Sequence, residues 1–474
     1  MTGFWPAPTA RDRAAYADAV VRPYWLDRLP PRRPEPPLRG TVDADLAIVG
    51  GGFTGLWAAL HAKADDPTRE VVVVEADTVG FGASGRNGGF LVGSLTHGIE
   101  NGLARFASEM PVLERLGHEN FAGLVADLER YGIDCHLELT GDLVAAVEPY
   151  QDAGLEEDAA LLRRYGHDVE VLDGPAMRAE VHSPIYRGGV WDRTDAGLVD
   201  PGALVDGLRA AAGRLGVRLF EHTRADGLRE LPGGAIEVSS ADGRVRARRV
   251  LLATSAFPPL LRAIRRSIVP VYDYALVTEP LTPAQRDAIG WRRRQGLSDG
   301  ANQFHYYRLT PDDRILYGGY DAVYRFGGPV RPALDDDDRT FGRLAAHVFH
   351  TFPQLRDVRF AYRWGGAIDT SSRFSVFFGT AHGGRVAYAV GYTGLGVAAT
   401  RFGARVALDL LDGRETEATR LRYVRRPPVP FPPEPLRYAV VQLTRNRLAA
   451  ADRHEGRRGA WLRTLDRLGL GFDS

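Results

Sequence analysis

A glycine-rich turn near the N-terminus constrains the fold more than any other feature of the sequence. Residues 46–49 are apolar and predict a strand, residues 50–55 fit the pattern G-x-G-x-x-G, and a helix of about residues 53–64 and a strand at 71–74 follow. The first glycine permits a tight bend, the second lets a pyrophosphate approach the backbone, and the third allows close packing of the helix, whose N-terminus favours negative charge. This βαβ opening predicts a Rossmann unit that binds a dinucleotide through Gly50, Gly52, Phe53, Thr54 and Gly55.

Two later features narrow the choice of dinucleotide. Glu75 ends the second predicted strand, where a carboxylate accepts hydrogen bonds from both ribose hydroxyls and repels a 2′-phosphate. Residues 80–90 contain five glycines and form a backbone-rich loop that can run beside a large flat cofactor. A nicotinamide-dependent dehydrogenase needs no such loop, so the two features together favour a flavin dinucleotide.

The composition argues against several classes of function. The 474 residues include 60 basic and 60 acidic side chains, and the formal net charge of zero disfavours nucleic-acid binding. The single cysteine, Cys135, cannot form an internal disulfide, which suits a reducing compartment and predicts a cytoplasmic protein. No run of about 18 uncharged apolar residues occurs, so no membrane span is expected. The acidic run at 335–338 is interpreted as a solvated helix start, and no metal site is predicted.

The wider pattern predicts an α/β fold in which a Rossmann-type FAD-binding domain is interleaved with an α+β substrate domain built on a mainly antiparallel sheet. We assign residues 41–100, 195–260 and 364–413 to the FAD-binding domain, and residues 101–194 and 261–363 to the substrate domain. A proline-rich arm covers residues 1–40, and residues 414–474 form a C-terminal extension. Helices are predicted at about 109–131 and 201–215, and the turn at 242–243 predicts a hairpin.

Three later segments extend the pattern of the glycine loop. They are Leu251-Leu252-Ala253-Thr254, Trp364-Gly365-Gly366 and Gly391-Tyr392-Thr393-Gly394-Leu395-Gly396. With the loop they resemble the D-amino-acid oxidase superfamily of FAD-dependent oxidoreductases, and within it the group of glycine oxidase, monomeric sarcosine oxidase and gamma-glutamylputrescine oxidoreductase. The resemblance spans about residues 40–413. It implies that FAD is held by Ala83, Ser84, Gly85, Arg86, Asn87, Gly88, Gly89, Ala253, Trp364, Gly365, Gly366, Thr393, Gly394, Leu395 and Gly396.

The same resemblance suggests a substrate-binding strand. Residues 305–309 are similar to a central strand of glycine oxidase relatives whose arginine pairs with the substrate carboxylate, so Arg308 is the candidate for that role. A structural arginine is the alternative. Alternation along a strand puts Tyr306 and Arg308 on one face and His305 and Tyr307 on the other. We favour the first pair as the one that faces the flavin, with His305 as a core residue, and all four stay candidates to line the pocket.

These features predict an FAD-dependent oxidoreductase that oxidises the C–N bond of a small primary or secondary amine or amino acid. The product is an imine that water hydrolyses to a carbonyl compound, and the electrons pass to O2, giving H2O2, or to another acceptor. Two alternatives stay open. One is a 2-hydroxy acid oxidoreductase that uses His305 as its base, and the other is a non-catalytic flavoprotein.

Two departures from the family affect this prediction. Some sarcosine oxidases place a lysine near flavin N5 that helps O2 accept electrons, but Lys63, the only lysine of the chain, falls in the nucleotide-binding helix. A protonated His305 or Arg308 could supply that cation instead. Arg86 stands where the dimethylglycine dehydrogenase type has a histidine that links the flavin covalently, and no cysteine lies near Trp364. FAD is therefore expected to bind without a covalent bond.

Overall fold

The structure, a computed structural model, describes residues 4–471, and two large β-sheets dominate it. A third sheet has only two antiparallel strands, Phe90–Val92 and Ala196–Leu198. The smaller of the large sheets contains the Rossmann unit, and the larger is mainly antiparallel. The predicted fold class is confirmed.

The smaller sheet has eight strands, and its centre is parallel, as crossover helices require. Every residue of Val71–Val74 is buried, which is typical of a parallel strand covered on both faces. The parallel strands are Arg218–Phe220, Val71–Val74, Gly40–Val49, Gly243–Leu252 and Val386–Val390. The antiparallel strands at its edges are Gly227–Glu230, Ile236–Ser239 and Phe377–Ala381. The predicted hairpin at 242–243 is present between Ile236–Ser239 and Gly243–Leu252.

One helix beside this sheet packs between two other helices. Phe53–Asp65 packs between Pro201–Arg214 and Ala399–Leu411, and all but its last two residues are buried. Pro201–Arg214 begins as predicted, because Oδ1 of Asp200 accepts a hydrogen bond of 2.9 Å from the backbone N–H of Ala203. The glycine turn therefore lies at the start of a helix that is buried over most of its length.

The larger sheet has ten strands, and two of its pairings are parallel. Across the sheet the order is Val20–Val21, Phe360–Ser371, Ile268–Thr278, Ile315–Gly319, His305–Leu309, Gly296–Asp299, Asp142–Ala146, Gly188–Asp192 and Val169–Asp173, with Val323–Tyr324 also paired to Ile268–Thr278. The domain boundary that we predicted at residue 364 divides a strand of this sheet. Residues 364–371 stay in register with Ile268–Thr278, so they belong to the larger sheet.

The other helices lie around the two sheets. Met110–Tyr131 has the predicted position, and Asp338–Thr351 follows the acidic run, where Oδ1 of Asp337 accepts a hydrogen bond of 3.0 Å from the backbone N–H of Thr340. Within residues 4–471, no helix combines the length and apolar character needed to cross a bilayer. The remaining α-helices are Ala10–Ala15, Tyr24–Asp27, Ile99–Phe106, Leu155–Arg164, Gly174–Glu180, Arg262–Arg265, Pro283–Ile289, Glu417–Arg420, Arg422–Arg425, Leu436–Arg453 and Ala460–Arg467.

The N-terminal arm is anchored by aromatic side chains. Tyr24 and Trp25 are buried, and Nε1 of Trp25 donates a hydrogen bond of 2.8 Å to the carbonyl oxygen of Asn87. The arm therefore contacts the glycine-rich loop at residues 80–90 directly.

Candidate active site

A cavity of about 1620 Å³ is lined by residues of both large sheets. Sites for small ligands commonly measure about 300–1,000 Å³, so this cavity has room for a dinucleotide and a second molecule. The smaller sheet contributes the glycine motif and the loop at residues 80–90. The larger sheet contributes residues of several strands, among them Ile268–Thr278 and Asp142–Ala146, and the C-terminal extension contributes residues of Leu436–Arg453.

The glycine motif has the geometry that close backbone packing requires. Gly50 has a φ of +112°, in the region that favours glycine, and a Cβ there would overlap the carbonyl oxygen of Ala253. A Cβ at Gly55 would overlap the carbonyl oxygen of Gly50. Gly50, Gly52, Phe53 and Thr54 line the cavity, whereas Gly55 lies behind them. The first turn of the helix is thus exposed to the cavity and packed tightly against the sheet.

Glu75 lies beside this turn at the end of its strand. Its Oε2 accepts a hydrogen bond of 2.7 Å from the N–H of Gly51, and its Oε1 accepts one of 3.0 Å from the N–H of Asp77. Burial raises the pKa of Glu75 above its usual value, although these backbone hydrogen bonds favour the charged form. The side chain lines the cavity, where its carboxylate is available to a ribose.

The glycine-rich loop is cross-linked by polar side chains. Oγ of Ser84 accepts a hydrogen bond of 2.9 Å from the N–H of Phe53, and Nδ2 of Asn87 donates bonds of 3.0 Å to the carbonyl oxygens of Ala83 and Ser84. Ala83, Ser84, Arg86, Asn87 and Gly88 line the cavity. Gly85 and Gly89 do not line it within the described chain, because other parts of the protein cover them.

Arg86 joins the loop to the larger sheet. Its Nε donates a hydrogen bond of 2.8 Å to the carbonyl oxygen of Phe81, and one Nη lies 2.5 Å from Oδ2 of Asp335 and 3.0 Å from the carbonyl oxygen of Gly365. The carbonyl oxygen of Arg86 accepts a hydrogen bond of 2.9 Å from Nε1 of Trp364. Arg86 is therefore a fixed cation at the wall of the cavity.

The remaining segments of the predicted cofactor site meet at the same cavity. Ala253, Trp364, Gly366 and residues 393–396 line it, whereas Gly365 packs against Tyr274. The turn that contains Thr393, Gly394, Leu395 and Gly396 precedes the helix Ala399–Leu411. Backbone N–H groups at such a position can stabilise negative charge on a bound ligand.

Tyr306 is one of the four residues predicted to line the substrate pocket, and it lines the cavity. Its hydroxyl donates a hydrogen bond of 2.6 Å to Oδ2 of Asp273 on a neighbouring region of the sheet, and both residues line the cavity. A Cβ at Gly88 would lie 2.7 Å from the ring of Tyr306, so this pair adjoins the glycine-rich loop. Burial raises the pKa of Asp273 to about 6, although hydrogen bonds from Tyr306 and from backbone N–H groups lower it.

Arg308 lies farther from the cavity than Tyr306 does. It lies on the same face of the strand as Tyr306, but it is fully buried and is not among the described residues that line the cavity. One Nη donates a hydrogen bond of 2.6 Å to the carbonyl oxygen of Val199, its Nε donates one of 3.1 Å to that of Leu309, and Gly89 separates it from the loop surface. In this arrangement Nε and one Nη of Arg308 bind backbone carbonyl oxygens, and the other Nη is buried without a hydrogen-bond partner within the described residues.

His305 and Tyr307 point to the other face, as alternation predicts. Nδ1 of His305 lies 2.7 Å from Oδ2 of Asp299, and Nε2 lies 2.9 Å from Nδ1 of His347. The hydroxyl of Tyr186 donates a hydrogen bond of 2.9 Å to that of Tyr307. Burial lowers the pKa of His305 to about 3. Both residues are therefore core side chains, and His305 is neutral near pH 7.

A comparison with known proteins identifies the family. A family model described as FAD dependent oxidoreductase, abbreviated DAO, matches residues 45–410. The chain belongs to this family. Gamma-glutamylputrescine oxidoreductase of Escherichia coli (strain K12) is 34% identical over 409 residues, which are 83% of this chain and 89% of that protein. The probable oxidoreductase OrdL of Haemophilus influenzae is 29% identical over 404 residues, which are 83% of this chain and 88% of that protein.

Among solved structures, glycine oxidase from Geobacillus kaustophilus superposes with a TM-score of 0.65 and 20% identity, covering 79% of this chain and 96% of that one. This likeness shows a shared fold. Proteins of the DAO family depend on FAD, and the residues that line this cavity fit it. Gly52, at the start of the helix Phe53–Asp65, would let a pyrophosphate approach the backbone, Glu75 would offer its carboxylate to a ribose, and the turn at 393–396 precedes a helix beside the cavity. The protein is an FAD-dependent enzyme.

Sequence reasoning missed two acidic residues of the site, Asp273 and Asp299, both of which line the cavity. Each is a charged residue in an otherwise apolar or small-residue strand, Ile268–Thr278 and Gly296–Asp299. A buried charge in a strand is rare unless it has a partner. The contrast between each aspartate and its apolar or small neighbours could therefore have identified both as candidate site residues.

Proposed function

We propose that the protein oxidises the C–N bond of a small primary or secondary amine or amino acid to an imine, which water hydrolyses to a carbonyl compound. Bound FAD supplies the oxidising chemistry by accepting two electrons, which the side chains of the chain cannot do. The proposal is supported by two related proteins whose names state such substrates, gamma-glutamylputrescine oxidoreductase and glycine oxidase.

The observation that carries the proposal is the hydrogen bond between Tyr306 and Asp273 at the cavity wall. Most amines are ammonium ions near pH 7 and must lose a proton before the C–N bond can be oxidised. With its pKa at about 6, Asp273 is ionised at pH 7 and can accept a hydrogen bond or a proton from the ammonium group. Tyr306 keeps the carboxylate in place.

The alternative of a 2-hydroxy acid substrate needs a base for the hydroxyl proton. His305, the base first considered, has both ring nitrogens in contact with other side chains and does not line the cavity within the described residues. The amine reaction is therefore better supported by the groups that reach the cavity.

For the electron acceptor we propose O2, with H2O2 as product. Lys63 cannot assist, because its Nζ donates hydrogen bonds of 2.6 and 3.1 Å to the carbonyl oxygens of Pro67 and Arg69. We assign the role of the cation that supports oxygen reduction to Arg86 instead of His305 or Arg308. Arg86 lines the cavity, whereas His305 and Arg308 are not among the described residues that line it. The proposed location remains the cytoplasm, which suits a chain with one buried, unpaired cysteine.

The test is anaerobic mixing of the FAD-loaded protein with separate panels of amines, amino acids and 2-hydroxy acids, followed by the visible absorbance of the flavin. Bleaching by amines or amino acids supports the proposal, and bleaching by 2-hydroxy acids alone overturns it. If no compound in any panel bleaches the flavin, the result favours a non-catalytic flavoprotein over the proposed enzyme. Asp273→Asn is expected to slow bleaching, whereas Tyr307→Phe, on the opposite face of the same strand, serves as the matched control.

A further inference from the structure

Three potential metal ligands meet at a part of the cavity that the proposed reaction does not use. Glu114 and His118 are one turn apart on the helix Met110–Tyr131, and His167 precedes the strand Val169–Asp173. One donor atom from each of the three residues lies within 4.8 Å of the other two. Oε2 of Glu114 is 3.4 Å from Nε2 of His167. All three side chains line the cavity, and Glu114 is only 8% exposed.

The surroundings of the two histidines provide an independent observation. Nδ1 of His167 lies 2.6 Å from Oδ2 of Asp192, and Nδ1 of His118 contacts Oδ2 of Asp195. Histidines that bind metals almost always give their second ring nitrogen to a carboxylate, a carbonyl or water, which fixes the ring and its tautomer. Asp192 is itself oriented, since its Oδ1 accepts a hydrogen bond of 2.9 Å from the N–H of Thr194.

One more acidic side chain lies opposite Asp192 in the sheet. Asp142 is the cross-strand partner of Asp192 and also lines the cavity. Its Oδ1 is buried and has no hydrogen-bond partner within residues 4–471. A buried carboxylate oxygen without a partner is costly, and a positive charge nearby would offset that cost.

We propose that Glu114, His118 and His167 bind one divalent transition-metal ion of the zinc class. Two imidazole nitrogens and one carboxylate oxygen are ligands that Zn²⁺ accepts, at distances of about 2.0–2.2 Å. The three donor atoms reach such a geometry by small side-chain rotations, because Glu114 and His167 are already near the spacing of two ligands on one ion. Asp192 and Asp195 orient the histidines.

The position of the site determines what else the ion can bind. Because all three side chains line the cavity, an ion held by them would lie beside it, and water or a carboxylate oxygen could complete its coordination. The inference does not depend on the proposed amine oxidation, since the ligands are separate from Tyr306 and Asp273.

Another arrangement of the same residues is an ion pair in which protonated His167 bridges Glu114 and Asp192 without any metal. The two readings differ in what removal of a ligand does to metal binding. The FAD-loaded protein is first stripped with a chelator, and Zn²⁺ alone is then titrated by calorimetry, with the bound metal counted by elemental analysis.

We expect one Zn²⁺ per chain in the wild type, loss of detectable binding in His118→Ala and His167→Ala, and affinity about 10–100-fold weaker in Asp192→Asn. His382→Ala is the matched control, because His382 pairs with Glu230 on another part of the chain. Flavin absorbance reports folding of every variant, and Glu114→Gln is a milder replacement if a histidine variant does not fold. Absence of Zn²⁺ binding in the wild type, or binding that survives both histidine substitutions, overturns the proposal.

Discussion

The hydroxyl of Tyr306 donates a hydrogen bond of 2.6 Å to Oδ2 of Asp273, although the two residues are 33 positions apart in the chain. The bond stabilises the charged form of Asp273 and opposes the effect of burial, which raises its pKa to about 6. This pair joins two strands of the larger sheet at the wall of the cavity.

The pH dependence of turnover is expected to follow Asp273. Its pKa lies above the ordinary aspartate value, so the carboxyl is protonated below about pH 6 and ionised above it. The value of kcat/KM for an amine should therefore rise with pH through about 6. Asp273→Asn should lower kcat/KM by about 10²–10⁴-fold, the range for loss of a general base, and remove this rise.

Tyr306→Phe tests the same pH dependence while the carboxyl group of Asp273 is kept. Loss of the hydrogen bond from Tyr306 removes a stabilising contact of the carboxylate, so the rise in kcat/KM should move to higher pH. Tyr307→Phe should leave it in place, because that hydroxyl bonds to Tyr186. An identical pH profile in all three proteins would exclude Asp273 as the titrating group.

Glu75→Ala should weaken FAD binding by about 1–3 kcal/mol, the scale expected when a charge-assisted hydrogen-bonding partner is removed. Fluorescence titration of the flavin-free protein with FAD measures the affinity. Glu70→Ala is the control, since that exposed glutamate immediately precedes the same strand. Equal FAD affinity in the Glu75 variant and the wild type would dismiss the ribose contact.

FAD should be released by acid precipitation, because the resemblance to the family puts Arg86 where some relatives have a linking histidine, and Arg86 forms three hydrogen bonds of its own. The yellow colour is expected in the supernatant. Colour that stays with the precipitated protein, confirmed by a flavin peptide in mass spectrometry, would demonstrate a covalent bond.

Arg308→Lys is expected to lower the free energy of unfolding by about 1–3 kcal/mol, since an ammonium group cannot reproduce the hydrogen bonds to the carbonyl oxygens of Val199 and Leu309. Urea denaturation measures this change, with Arg339→Lys, a substitution of an exposed arginine, as control. Unchanged stability together with a large rise in KM for anionic substrates would restore the carboxylate-binding role predicted from the sequence.

The reaction of reduced flavin with O2 should depend on Arg86. Stopped-flow reoxidation of the photoreduced protein is expected to be slower in Arg86→Met than in the wild type, because a fixed cation stabilises the superoxide formed by the first electron. His305→Gln should leave the rate unchanged, as His305 does not line the cavity within the described chain. A wild-type rate no faster than that of free reduced flavin would indicate a dehydrogenase.

The parts of the site that local sequence determines were predictable. The glycine motif and Glu75 are close in the chain, and each glycine of the motif has a steric reason that the pattern itself contains. The pairing of Tyr306 with Asp273 was not predictable, because it depends on the register between strands. The face of Arg308 was predicted, but the covering of that face by Gly89 and Val199 is a tertiary feature. His167 lies far along the chain from Glu114 and His118, so the sequence did not show that these three side chains come together.

The helix Leu436–Arg453 supplies Val440, Val441, Thr444, Arg445 and Leu448 to the cavity, yet it lies beyond residue 410, where the match to the family model ends. Nε of Arg445 is 2.8 Å from Oδ1 of Asp321, which fastens this helix to the larger sheet. Side chains from outside the part of the chain that the family model matches therefore reach the same cavity as the glycine motif. A substitution in this helix would alter the lining of the cavity and leave the glycine motif as it is.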